Sequence, residues 1–169
     1  MIAKFFVSFI FLFSVFIDAS SISTSLLNSQ LKKNYSFFER SLSESEMRID
    51  TSSGKIFFTN EEILIHVLSP FEENYRIYGD TIEIHDVFLD QTQVISIEKL
   101  DNFFLSLLID GVDEDADNYS INVINDSIIQ VIDNTRSNII SFSFLKNQLN
   151  LIRYKDSLGV EHGIELTPL

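Results

Sequence analysis

No cysteine occurs among the 169 residues. Disulfides, thiol nucleophiles and thiolate metal sites are excluded with it, so the fold must be held by its own core. Basic side chains are also scarce, 12 against 25 acidic ones, for a net charge of −13. That balance argues against nucleic acid and anionic lipid headgroups, both of which attract basic patches. Two Pro and five Gly are too few for long linkers rich in either residue. No apolar run reaches the roughly 20 residues that a membrane-spanning helix needs.

What is present is apolar. Hydrophobic residues make up 45% of the chain and include 16 Phe, enough for a sizeable core and against global disorder. Lys4 is followed by an apolar run, Phe5 to Ile17, and then by Ala19-Ser20-Ser21, which fits a small-x-small cleavage site. Residues 1–21 are therefore expected to be a cleaved signal peptide, and 22–169 a single exported domain; the competing reading of the first segment is an uncleaved anchor.

After it, Ser23-Thr24-Ser25 can cap a short amphipathic helix over about 24–33, with Leu26, Leu27 and Leu31 on one side and Lys32-Lys33 at its end. Strands are expected from Tyr35 to Leu42 and, in weaker alternation, from Ser43 to Thr51. Ser53-Gly54 is expected to turn the chain into Lys55–Thr59. Ile63, Ile65 and Val67 alternate with Leu64, His66 and Leu68 up to Ser69-Pro70. Tyr75 to Tyr78 leads to the Gly79-Asp80 turn. Ile82 and Ile84 then alternate with Glu83 and His85 until Asp86, and Leu89-Asp90-Gln91 opens the next strand.

Leu100, Phe103, Phe104, Leu107 and Leu108 form the clearest helical stripe, with Asp101 as the expected N-cap and Asp110-Gly111 as the stop. Such a helix either simply covers a sheet or serves as a lid over an apolar cavity. Asp113, Asp115 and Asp117 have calcium-loop spacing, but Asn118 and Ile124 stand where Gly and Glu are needed. From Tyr119 onward, short strands follow one another at about ten-residue spacing, which reads as an antiparallel meander with one wet face.

Chemistry is hard to find. There is no G-x-S-x-G elbow, P-loop or H-E-x-x-H helix. His66, His85 and His162 lie far apart in sequence, and no acid/base pair stands out among the carboxylates. Neither a metal, a cofactor nor an enzymatic activity is expected.

The order of these elements resembles that of the periplasmic outer-membrane lipoprotein carrier family, LolA. The similarity rests on Leu27, Leu31, Tyr35, Phe37 and Phe38; on Gly79, Ile82, Ile84, Asp86 and Asp90-Gln91 after Pro70; and on Asp156 and Gly159 in the last turn. The chain departs from that family in having Thr59-Asn60 in place of an Arg-Pro pair, and Ile65 and Glu83 at its Trp positions.

The resemblance implies an α+β fold, an incomplete antiparallel β-barrel (a half-barrel, or strongly curved sheet) whose concave face is covered by helices. It implies a monomeric periplasmic chaperone that holds lipoprotein acyl chains and shuttles them between the inner and outer membranes. Its partners would be the inner-membrane lipoprotein-releasing transporter and the outer-membrane lipoprotein acceptor. The membrane-anchored acceptor of this fold is itself lipidated on a cysteine, and the absence of Cys favours the soluble carrier. Ile63, Ile65, Val67, Ile82 and Ile84 are the expected cavity lining, and Leu100, Phe103, Phe104, Leu107 and Leu108 the expected lid. The alternative is a half-barrel binding module for another lipid or hydrophobic ligand.

Overall fold

The computed structural model describes residues 22–59, 61–99 and 102–169. The segment read as a signal peptide, together with Asn60, Leu100 and Asp101, lies outside them. Eleven antiparallel strands form one sheet: β1 (Tyr35–Ser43), β2 (Arg48–Phe58), β3 (Glu62–Ser69), β4 (Glu73–Tyr78), β5 (Thr81–Asp86), β6 (Gln91–Ser96), β7 (Tyr119–Asn125), β8 (Ile128–Asp133), β9 (Ile139–Leu145), β10 (Gln148–Lys155) and β11 (Glu161–Pro168). The spatial order is β6-β5-β4-β3-β2-β1-β11-β10-β9-β8-β7, so the sheet is open, with β6 and β7 as its edges. Among the described residues two helices, α1 (Thr24–Leu31) and α2 (Phe103–Asp110), accompany the sheet, with one 3-10 turn at Ile97–Lys99.

The connection from one edge strand to the other passes through α2. A chain that leaves β6 and next pairs at β7 must pass from one end of the sheet to the other, and α2 lies on that path. Its N-cap is Asn102, whose Oδ1 accepts from the Leu105 N–H at 3.1 Å, rather than the expected Asp101. Its stop is the expected one, Gly111, at φ +84°, a conformation that costs a residue without Cβ little. Helix α1 starts at its Ser23 cap and ends at Leu31, shorter than the sequence suggests because Lys32 leaves helical geometry. The two helices are joined where the Asn28 carboxamide both donates to Val112 O (2.7 Å) and accepts from Val112 N (2.8 Å).

Most turns lie where their chemistry places them. Gly79-Asp80 joins β4 to β5 as a two-residue hairpin with Gly79 at φ +54°. Lys146-Asn147 joins β9 to β10 with both residues at positive φ, the twist that suits a tight hairpin. Asp86 Oδ1 receives the Leu89 N–H at 2.8 Å after the strand closes.

One expected turn is absent. Gly54 sits inside β2, paired with Phe37 on one side and Val67 on the other, beside a bulge. A Cβ there would lie 2.0 Å from the His66 carbonyl oxygen and 2.8 Å from the Phe37 ring, so the glycine permits close approach and not chain reversal. The true reversal falls at residues 44–47, where Met47 takes φ +50° and stands exposed.

The tightest packing joins α1 to the C-terminal strands. Leu27, Ile129, Val131 and Phe142 are fully inaccessible, with Ile140 and Leu149 almost so. Tyr35 is buried among them and donates its hydroxyl to Gln30 O at 2.9 Å; burial pushes its ionisation up to about 12.

Candidate functional site

The same face of the sheet behaves differently further along. A cavity of about 610 Å³ is lined from six neighbouring strands, β4, β3, β2, β1, β11 and β10, and by both helices. Strands that far apart in one sheet can border a single cavity only if the sheet curves around it. The volume is within the range of small-ligand sites, roughly 300–1,000 Å³.

Strand alternation explains the lining. Tyr35 and Phe37, Ile56 and Phe58, Ile65 and Val67, and Ile164 and Leu166 are each two residues apart on one face. Registers stack them in rows. Tyr35, Ile56, Ile65 and Tyr75 are cross-strand neighbours in sequence across β1 to β4; Phe37, Gly54, Val67 and Glu73 form the next row; Glu39 and Ser52 the one after. The cavity therefore runs from an apolar end, with Leu31, Phe58 and Leu108, to a polar end with Glu39, Ser52, Glu73 and Tyr154. Pro70 and the largely exposed Phe71 border that polar end.

Of the residues expected to line a cavity, Ile65 and Val67 do. Ile63 and Ile82 are buried in the core, and Ile84 is half-buried against it. Ile63 also borders a smaller cavity with Ile77 and Leu108. Of the expected lid residues, Phe104 and Leu108 line the large cavity. Leu107 is buried and Phe103 packs on the Tyr119 ring at 5.8 Å. Leu100 lies outside the described residues.

Sequence reasoning missed the polar end. Glu39 is held by three groups: His162 Nδ1 donates to its Oε1 at 2.7 Å, Ser52 Oγ to its Oε2 at 2.9 Å, and Ser41 Oγ to Oε1 at 3.3 Å. His162 Nε2 faces Asp156 Oδ2 at 3.4 Å. Asp156 is itself fixed in the last turn, where its Oδ1 accepts from Leu158 N and Val160 N, and Gly159 takes positive φ. The bond to Glu39 and, beyond it, the contact with Asp156 raise the His162 pKa against the opposing effect of burial. In return the bond from His162 lowers that of Glu39. The signal available beforehand was weak: Glu39 continues the Tyr35, Phe37 face, but only the register brings His162 opposite Ser41.

Ser41 Oγ also lies 3.2 Å from His162 Nδ1, which with Asp156 sketches a serine–histidine–acid triad. The chemistry does not follow. Nδ1 is already engaged by Glu39, and carboxylates at both ring nitrogens favour the protonated ring, which has no lone pair to take a serine proton.

An aromatic ladder connects this polar group to α2. The His162 ring stacks on Tyr154 at 4.6 Å, and Tyr154 on Phe104 at 4.8 Å. At the other polar corner, Tyr75 donates its hydroxyl to Glu73 Oε2 at 2.5 Å, and burial with that carboxylate pushes its ionisation up. Among the described residues no helix is long and apolar enough to cross a membrane.

No family model and no curated protein matches the chain. Solved structures do. A LolA superfamily protein from Nitrosomonas europaea is similar over 85% of this chain and 90% of its own, at 10% identity and a TM-score of 0.48. The Mycobacterium tuberculosis lipoprotein LppX is similar over 85% and 90%, at 12% identity and a TM-score of 0.42. A DUF1329 family protein from Desulfovibrio piger is similar over 85% and 87%, at 8% identity and a TM-score of 0.41.

Proposed function

We propose that this chain is a LolA-like carrier that binds the acyl chains of lipoproteins in its apolar cavity and moves them between the inner and outer membranes. The observation that carries the reading is the 610 Å³ cavity itself, walled largely by aliphatic and aromatic side chains of one sheet face and two helices. Each CH₂ taken out of water contributes about 0.8 kcal/mol, so a single chain placed there is held by the hydrophobic effect alone. The function is binding, with no bond made or broken.

In this reading the sheet is a half-barrel and the helices cover its concave face. Helix α2 is the lid. It is only eight residues long, and Phe103, Phe104, Leu105 and Ile109 are partly buried rather than sealed in. Its attachment includes the Phe104–Tyr154 stack, an interaction worth about 0.5–1.5 kcal/mol. A lid held that loosely can exchange its own apolar side chains for those of a ligand and close again after release. Ile65 and Val67 are the contact residues on the sheet, and Phe104 and Leu108 those on the lid.

The remaining parts follow from the same reading. Residues 1–21 direct export and are removed, and the mature chain works in the periplasm as a monomer. It receives cargo from the inner-membrane lipoprotein-releasing transporter and delivers it to the outer-membrane acceptor.

Native mass spectrometry of the mature protein, co-expressed with a bacterial lipoprotein, tests this. The expected result is a one-to-one complex that disappears when the cargo's lipidated Cys is replaced. A folded, empty protein under the same conditions would count against the carrier reading.

A further inference from the structure

Among the described residues two carboxylates line the cavity, and they are not equivalent. Glu39 is bonded to the His162 ring and to two serine hydroxyls. Glu73 bonds the Tyr75 hydroxyl, and among the described residues no cationic side chain lies within ion-pair distance of it. Among the described residues no Lys, Arg or His lines the cavity. A half-buried carboxylate answered only by a hydroxyl leaves negative charge facing the cavity at its polar end.

Phe71, two residues before Glu73, lines the same cavity yet keeps 73% of its surface exposed. An exposed aromatic face next to a carboxylate suits a cation, which the ring attracts through its quadrupole and the carboxylate through its charge. The apolar end, two register rows away at Phe58, suits a hydrocarbon chain.

Resting on the carrier reading, we propose that the ligand of this cavity is an amphiphile with a cationic head, seated at Glu73 and Phe71, and an apolar tail running toward Leu31 and Leu108. An anionic head is disfavoured at the same place, because both lining charges are negative and the whole chain carries −13.

The experiment is competition against a pyrene-labelled long-chain alcohol bound to the mature protein. Dodecylammonium, dodecyl maltoside and dodecanoate are the competitors, each used below its micelle-forming concentration. The ammonium is expected to displace the probe at a concentration about tenfold below that of dodecanoate, with the maltoside between them. Glu73→Gln should remove most of that preference while leaving displacement by the maltoside unchanged. Glu165→Gln removes an exposed charge that does not line the cavity, and should leave the preference intact.

Equal displacement by ammonium and carboxylate, or a preference that Glu73→Gln and Glu165→Gln diminish alike, overturns the head-group assignment while leaving the apolar cavity standing. A probe that does not bind at all overturns the carrier reading with it.

Discussion

Strands β8 and β9 and strands β2 to β4 share one sheet and one alternation, yet they end in different states. In the first group the inward side chains are packed into the core, and Ile129, Val131 and Phe142 retain no accessible surface. In the second, Ile56, Phe58, Ile65, Val67 and Tyr75 point to the same side of the sheet and remain only partly covered, around a cavity. Binary pattern decides which face is apolar; it does not decide whether the protein itself fills the space in front of that face. In the first region the protein's own side chains fill it. In the second they leave a cavity that residues of both helices also border.

The largest contrast should appear when one side chain from each region is truncated. Phe142→Ala opens a void in close packing and should cost about 3–5 kcal/mol. Ile65→Ala enlarges a space that already exists and should cost less than about 2 kcal/mol, the low end for such truncations. Urea unfolding of both variants checks this. Similar losses would mean that the two regions are packed alike.

Much of this fold can be read from the sequence. The hairpin turns at Gly79-Asp80 and Lys146-Asn147, the alternation of Ile63 to Val67 and the stop at Gly111 are local signals, and the structure keeps them. What could not be read depends on register. Gly54 resembles a turn glycine until two partner strands flank it and the His66 carbonyl approaches. The five expected lining residues share an alternation that separates them from nothing else. Ile65 and Val67 line the cavity whereas Ile63 and Ile82 are buried in the core, a distinction that the alternation does not carry. Glu39 is far in sequence from Asp156 and His162, and it meets them only through the pairing of β1 with β11.

That polar group gives a smaller effect, one that separates the two ends of the cavity by pH. The folded pKa of His162 is raised above its ordinary 6.5, so its contribution to stability is full below about 6.5 and is lost as pH rises through the raised value. The folded pKa of Glu39 is lowered from 4.5, so its contribution is full above about 4.5 and is lost as pH falls through the lowered value. Both are present together between about 4.5 and 6.5. The stability lost in His162→Gln should therefore be greatest within that window and smaller at pH values well above it. An equal loss at every pH would show that the imidazole contributes packing on Tyr154 and not charge.

The most direct test of the account is whether the space before β2 to β4 is open for a ligand and not needed for folding. Val67→Trp puts bulk into the cavity from its wall. Titration of a pyrene-labelled long-chain alcohol into wild-type protein and this variant, with urea unfolding run in parallel, reads both properties. Wild type should bind the probe saturably and one-to-one, and Val67→Trp should lose binding while keeping stability within about 1.5 kcal/mol of wild type. A stable variant that binds the probe as well as wild type would place the ligand elsewhere. A variant that fails to fold would mean that this space is core.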